Sequence, residues 1–261
     1  LPPGAALPPQ GVLFSGGTYP SIFPHRMGTT NDRGVVAMQI DRNENRIFLR
    51  GRVVAPPSPS HSNHGVAYSL LPVSVCRLSG VSDQLNVVAA QSQLEGLALV
   101  PGAPIAVRGE VRTFNNRSGV GSRLVISVFA RFLAQEEGED ENRLTLSGTL
   151  CKSPALRCTP LGRTICDLIL AVNRRYGRAD YLPCIAWGSL AHRCGNMEVG
   201  DALALEGRLQ SRLYTKEVDG QPQERTAFEV SIMSLTEPPP SRPTVHIDSH
   251  HTSEYDGDRI F

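Results

Sequence analysis

The feature that most constrains this chain is that it contains itself twice. N-R-I-F-L-R-G-R-V at 45–53 returns as N-R-L-T-L-S-G-T-L at 142–150, an offset of 97, and each copy is followed by a proline, Pro57 and Pro154. D-Q-L-N-V-V-A-A at 83–90 returns at the same offset as D-Y-L-P-C-I-A-W. G-A-P-I-A-V-R-G-E-V at 102–111 returns as G-D-A-L-A-L-E-G-R-L at 200–209, an offset of 98. Three matches in order at a nearly constant spacing indicate a tandem duplication, so whatever one unit folds into, the other must resemble.

Each unit reads as all-β. In the second, Leu144, Leu146, Gly148 and Leu150 alternate with polar positions, the two-residue period of a half-buried strand. The turn Thr159-Pro160-Leu161-Gly162 precedes an apolar run from Ile165 to Val172, and D-Y-L-P-C-I-A-W follows. Between Ser189 and Met197, Leu190, Cys194 and Met197 share a helical face. Leu203, Leu205, Gly207 and Leu209 then predict a strand, Asp219-Gly220 a hairpin turn, and Phe228, Val230 and Ile232 a closing strand. Five strands with a short helix between the third and fourth is the pattern of the OB-fold, a small Greek-key barrel suited to oligonucleotides. Gly51, Gly109, Gly148 and Gly207 fall inside strands, where a small barrel has to bend. The fold class predicted is two tandem OB-folds: residues 45–133, a degenerate copy, and 142–237. They are flanked by a disordered or extended N-terminal segment (1–44), an acidic linker (134–141) and a disordered tail (238–261).

The stretch Asp180 to Trp187 draws attention for its chemistry. At a period of two, Tyr181, Pro183, Ile185 and Trp187 face one side and Leu182, Cys184 and Ala186 the other. An aromatic at each end of a run of about 20 Å, at ~3.3 Å per residue, is spaced to hold different bases of an unpaired strand. A strand buried on both faces, with Trp187 as core filling, is the competing interpretation.

Charge supports the first. The net charge of +1 conceals a separation: residues 45–133 hold nine basic and three acidic side chains, and 142–237 hold twelve and ten. The linker 134–141 holds five acids and no base, and the tail from Pro238 has two bases against four acids. The folded parts are basic and the acid lies in the connectors, an arrangement that either presents basic surfaces to a polyanion or simply keeps the connectors soluble.

The second unit resembles the bacterial single-stranded DNA-binding protein family. The resemblance is carried by R-L-T-L-S-G-T-L, P-A-L-R-C-T-P-L-G, L-A-V-N-R-R-Y, D-Y-L-P-C-I-A-W-G-S-L-A and E-G-R-L-Q-S-R-L-Y across 142–237. It implies sequence-tolerant binding of single-stranded DNA in replication, recombination and repair. The implied stacking residues are Tyr176, Tyr181, Trp187 and Tyr214, with Arg174, Arg175, Arg178, Arg208 and Arg212 around them as phosphate contacts. Some members carry two OB-folds per chain and pair into dimers with four, so a homodimer is implied as well. The first unit shares the family pattern only through the repeat: Ala90 stands for Trp187 and Gln84 for Tyr181, Phe114 lies near the Tyr214 position but not on it, and no aromatic matches Tyr176. It is assigned a supporting role with weak, mostly electrostatic DNA contact. The family's tail ends in an acidic tip that docks onto genome-maintenance enzymes; here Asp256, Asp258, Ile260 and Phe261 are the corresponding partner contacts, with Arg259 intruding among them. The rival reading is an OB-fold protein–protein interaction module, similar to primosomal accessory proteins.

Other function classes find little support in the sequence. No apolar run approaches the ~18 residues of a membrane helix, and the predicted location is cytoplasmic, associated with the nucleoid. The six cysteines, at 76, 151, 158, 166, 184 and 194, include no C-x-x-C pair and predict reduced thiols rather than disulfides or zinc. His61 and His64 fall in a Ser/Pro-rich stretch read as a loop, and His246, His250 and His251 in the tail, neither with a regular element to fix metal geometry. No Gly-rich phosphate loop, G-x-S-x-G or H-E-x-x-H is present, so a non-enzymatic protein without cofactor or metal is expected.

Overall fold

The structure, a computed structural model, describes residues 44–116, 124–174, 177–218 and 221–236. The first half contains β1 (Asn45–Val53), β2 (Ser58–Asn63), β3 (Val66–Cys76), β4 (Ser82–Ala90), α1 (Gln91–Leu94), β5 (Pro104–Asn115) and β6 (Leu124–Ala134). The second repeats it with β7 (Glu141–Leu150), β8 (Ala155–Cys158), β9 (Thr164–Asn173), β10 (Ala179–Trp187), α2 (Ser189–Gly195), β11 (Ala202–Val218) and β12 (Gln221–Thr236). Each half is an OB-fold barrel: β1–β3 and the parallel pair β4–β6 close the first, β7–β9 and the parallel pair β10–β12 the second. Each barrel has one strand more than expected. β2 and β8 are short, fully exposed edge strands hydrogen-bonded to β3 and β9, and the turn at Thr159–Gly162 joins β8 to β9.

Alternation built the barrels as the sequence predicts. Leu144, Leu146, Leu150, Leu170, Leu182, Leu205 and Leu209 are at most 1% exposed, matched in the first barrel by Ile47, Leu49, Leu71, Leu85, Ile105 and Val107, all at 0%. Closure explains two of the in-strand glycines. A Cβ on Gly51 would lie 2.2 Å from the Ser74 carbonyl oxygen, and one on Gly148 2.5 Å from that of Ala171, inside van der Waals contact with backbone that cannot retreat. β11 and β12 pair from Ala204↔Thr236 out to Val218↔Gln221; the predicted turn residues Asp219 and Gly220 lie outside the described residues.

The two barrels are one body of sheet. β1 pairs antiparallel with β7, from Asn45↔Leu146 to Arg50↔Glu141, so Ile47 faces Leu144, its own counterpart in the repeat. A pseudo-twofold axis therefore passes between these residues and produces a continuous twelve-stranded sheet. Buried clamps on either side reinforce the joint. Asp180, 0% exposed, accepts hydrogen bonds from the Thr113 N–H (2.5 Å) and hydroxyl (3.2 Å) and pairs with Arg174, whose Nη2 also donates to the Thr113 carbonyl at 2.8 Å. Its repeat mate Asp83, also 0% exposed, accepts from the Ser211 N–H (2.7 Å) and pairs with Arg77. Each barrel thus reaches across with an aspartate at the start of one strand and holds the long hairpin of the other.

The connector departs from expectation. Rather than a free acidic linker, it is pinned to the first barrel: Arg50 Nη1 lies 2.9 Å from Glu136 and Nη2 3.2 Å from Glu141, and Arg50 Nε donates to the Glu139 carbonyl. Arg52 pairs with Glu137 at 2.9 Å, and Asp140 accepts the Cys76 N–H at 2.6 Å. Two of the nine basic side chains counted in the first unit, Arg50 and Arg52, are thus paired with the acids read as segregated from it. His61 is corrected too: it sits on β2 rather than in a loop, its ring stacked on Tyr68 at 5.0 Å between centroids. All six cysteines are free, and burial raises the thiol pKa of Cys184 and Cys194, the latter to about 11. Among the described residues no helix is long and apolar enough to cross a membrane.

Candidate nucleic-acid interface

The strand β10 has one face in the core and one toward solvent. Leu182, Cys184 and Ala186 are at most 2% exposed, whereas Tyr181 is 52% and Trp187 38% exposed. Both aromatics belong to the outer face, as the alternation predicts, and Trp187 is not core filling. Ile185 between them is only 5% exposed, and the outer-face Ile165 that pairs with Trp187 only 2%. The outer face therefore carries two exposed rings over an apolar floor.

Strand pairing places cations along the same floor. Ile185 is in register with Ser231 of β12, and Ser231 with Arg208 of β11, so Arg208 stands two strands away in the row between the two aromatics, about 10 Å across at ~4.8 Å per strand. Its Nε is buried without a hydrogen-bond partner. An unmet buried donor costs about 1–3 kcal/mol. On the other side Ile185 pairs with Asp167, which holds Arg157 of the edge strand β8 at 2.5 Å and raises its pKa through that hydrogen bond. Arg157 is a cation the sequence did not single out, because residues 155–158 were assigned to no element and show no apolar alternation.

Further along the hairpin, Tyr214 is half-buried with the guanidinium of Arg212 5.7 Å from its ring centroid, and Arg212 is exposed. Arg178 is exposed in the turn ahead of β10. Arg174 is different from its predicted role: it is engaged by Asp180 and the Thr113 carbonyl, so it joins the barrels instead of offering itself to a phosphate. Tyr176 and Arg175 lie outside the described residues, as do Asp256, Asp258, Ile260 and Phe261.

The first barrel's equivalent face is not bare. Gln84, Asn86, Val88 and Ala90 occupy the positions of Tyr181, Pro183, Ile185 and Trp187, but Ala90 pairs with Tyr68 of β3, and Val88 with Phe129 of β6. The Tyr68 and Phe129 rings approach to 5.6 Å, and the Arg131 guanidinium lies 5.0 Å from the Phe129 centroid. Alignment of the repeat looks for an aromatic at position 90; the structure carries it on the neighbouring strand.

Similarities to known proteins follow the same lines. Residues 141–236 match the Single-strand binding protein family. A single-stranded DNA-binding protein of Clostridium tetani is 38% identical over 80 residues, 28% of this chain and 55% of the relative. Single-stranded DNA-binding protein A of Bacillus subtilis is 34% identical over 104 residues, 37% of this chain and 60% of the relative. The matched stretch thus spans little more than half the length of these relatives. The single-stranded DNA-binding protein of Thermus aquaticus is 27% identical over 207 residues, 67% of this chain and 78% of the relative. The wild-type crystal structure of that protein superposes with a TM-score of 0.63 at 28% identity, covering 78% of this chain and 96% of the other. The likeness to the Thermus protein extends through both barrels, well beyond the stretch matched by the family.

Proposed function

We propose that this chain, whose residues 141–236 form a domain of the single-strand binding protein family, binds single-stranded DNA without reading its sequence and serves replication, recombination and repair. The observation that carries the reading is the outer face of β10: two exposed aromatics on an apolar floor with Arg208 between them and Arg157, Arg178 and Arg212 around it. Bases stack on Tyr181 and Trp187 and, along the hairpin, on Tyr214, and the family resemblance adds Tyr176 as a fourth stacking residue. The arginines neutralise phosphates, Arg175 among them, while Arg174 positions the platform through Asp180. Stacking gives affinity without preference because every base has a π-face.

Trp187 is the only tryptophan in the chain, so its fluorescence reports on the platform directly. Titration with oligo-dT should quench it to saturation, duplex of the same length should not, and log affinity should fall against log salt by about 0.7 per phosphate neutralised. Fluorescence indifferent to oligo-dT at concentrations where binding is complete by another method would remove Trp187 from the site.

Two chains are proposed to pair, bringing four barrels together. Phe132 is 52% exposed on the outer side of the sheet, in a cation–π ladder with Arg108 and Phe48, and such an exposed ring favours burial against a second copy. Sedimentation should give a mass about twice 28.3 kDa at micromolar concentration; a monomer would sink the proposal. Asp256, Asp258, Ile260 and Phe261 are proposed as a docking tip for genome-maintenance enzymes, on the strength of the family resemblance.

A further inference from the structure

We propose that Met233 is an oxidation site that tunes the DNA surface: hydrogen peroxide converts its thioether to the sulfoxide, and the oxidised chain holds single-stranded DNA more weakly. The inference rests on single-stranded DNA being the ligand of the outer face of β10.

Three observations carry it. First, a bulge places the side chain. Glu206 pairs with Ser234 and the next residue, Gly207, with Ile232, so Met233 is the extra, unpaired residue of β12. Val230 and Ile232 are buried at 0% and 3% and Leu235 packs against the core again, whereas Met233 is 62% exposed. Second, Met233 stands beside Trp187. β10 and β12 run parallel with Ile185 in register with Ser231, and Trp187 and Met233 each follow two residues later. They therefore share a row of the outer face on neighbouring strands, which lie about 4.8 Å apart where they pair. The first barrel shows how a side chain at this bulge lies. There Arg131 is the extra residue, and its guanidinium is 5.0 Å from the centroid of Phe129 and 3.0 Å from Glu110. Phe129 and Glu110 pair across their hairpin as Ser231 and Arg208 do across theirs. A side chain at this position thus lies along the outer face toward Ser231 and Arg208, and a base stacked on Trp187 has the Met233 thioether at its edge. Third, this thioether is open to oxidants, while Met197 is partly buried against the core. A sulfur lone pair attacks one peroxide oxygen, the O–O bond breaks as the S–O bond forms, and the second oxygen leaves as water, so that sulfur gives up the two electrons peroxide gains. An apolar, polarisable group becomes a polar, hydrated one, whose water a base edge must displace. No charge changes, so the arginine contacts to phosphate are untouched.

The test uses the full-length protein and hydrogen peroxide, followed by dithiothreitol to return oxidised thiols. Trypsin places Met233 in peptide 226–259 and Met197 in 194–208, with Met27 and Met38 in 27–33 and 34–42. Peptide 226–259 should gain one oxygen ahead of 194–208, and saturating oligo-dT should slow that gain. Chains oxidised at Met233 should bind labelled oligo-dT about 3- to 10-fold more weakly, the size of a lost sulfur–ring contact, with the slope against salt unchanged. Methionine sulfoxide reductases acting on both epimers should restore the affinity. Met233→Leu, whose side chain is apolar but cannot take up oxygen, should bind alike before and after peroxide. A loss that persists in this variant belongs to another residue and overturns the proposal. Oxidation of Met233 that bound oligo-dT does not slow, or that leaves affinity unchanged, overturns the site and leaves the function standing; untreated chain that fails to bind oligo-dT overturns both. Should Met233→Leu fail to fold, the reductases decide the matter on the unaltered chain: affinity that stays low once Met233 is reduced again counts against the site.

Discussion

Asp180→Ala should destabilise the protein by about 3–5 kcal/mol, the cost of leaving a buried ionic partner alone. The carboxylate is fully buried and collects the Thr113 N–H and hydroxyl together with Arg174, so its removal strands several donors at once. Asp83→Ala should cost a comparable amount, since Asp83 receives Arg77 and the Ser211 N–H in the equivalent place. Urea unfolding followed by circular dichroism measures both. The loss should extend to DNA affinity for Asp180→Ala in particular, because the Tyr181 N–H beside it donates to Thr113 Oγ1 at 3.2 Å and the platform begins there. A variant within 1 kcal/mol of the parent would mean that the clamp does not hold the barrels together.

Replacing both Tyr181 and Trp187 with alanine should reduce oligo-dT affinity by about 2–6 kcal/mol, taking ~1–3 for each stacked base and treating the two as independent. The rings stand six residues apart on one strand, far enough not to share a base. Because both project from the outer face and are 52% and 38% exposed, the melting temperature should move little. Fluorescence anisotropy of labelled oligo-dT gives the affinity and calorimetry the stability. A large fall in melting temperature with unchanged affinity would make the two residues structural.

What could be read from the sequence was whatever repeats along it. The alternation of Leu144, Leu146 and Leu150, the two faces of β10 and the turn at Thr159 are local periodicities, and each survives in the folded protein as predicted. The clamps were hidden because Asp83 and Ser211 are 128 residues apart and only meet once the barrels have joined. Asp180 looked like the polar opening of a strand, and Arg174 like a surface cation, since no local pattern distinguishes a buried carboxylate from an exposed one. The pinned linker was misread for the opposite reason: five acids in a row of eight read as solvent-loving, yet their neutralising arginines, Arg50 and Arg52, lie over 80 residues earlier. In the first barrel the aromatic was sought at the repeat position, whereas Tyr68 reaches the same row from an adjacent strand.

The β1–β7 pairing also settles who can be whose neighbour. Two separate single-barrel chains with such a strand at their joint would pair with identical copies, and any change in one would appear in both. Here Ile47 meets Leu144 within one polypeptide, and the linker acids held by Arg50 and Arg52 keep the second barrel next to its own first barrel. Unlike halves are therefore always delivered in equal number and fixed orientation. One half was free to keep its rings on β10 and the other to lose them there, so the division of labour between the barrels is a consequence of their being covalently joined, with no need for a mechanism to select a mixed pair from a pool of identical ones.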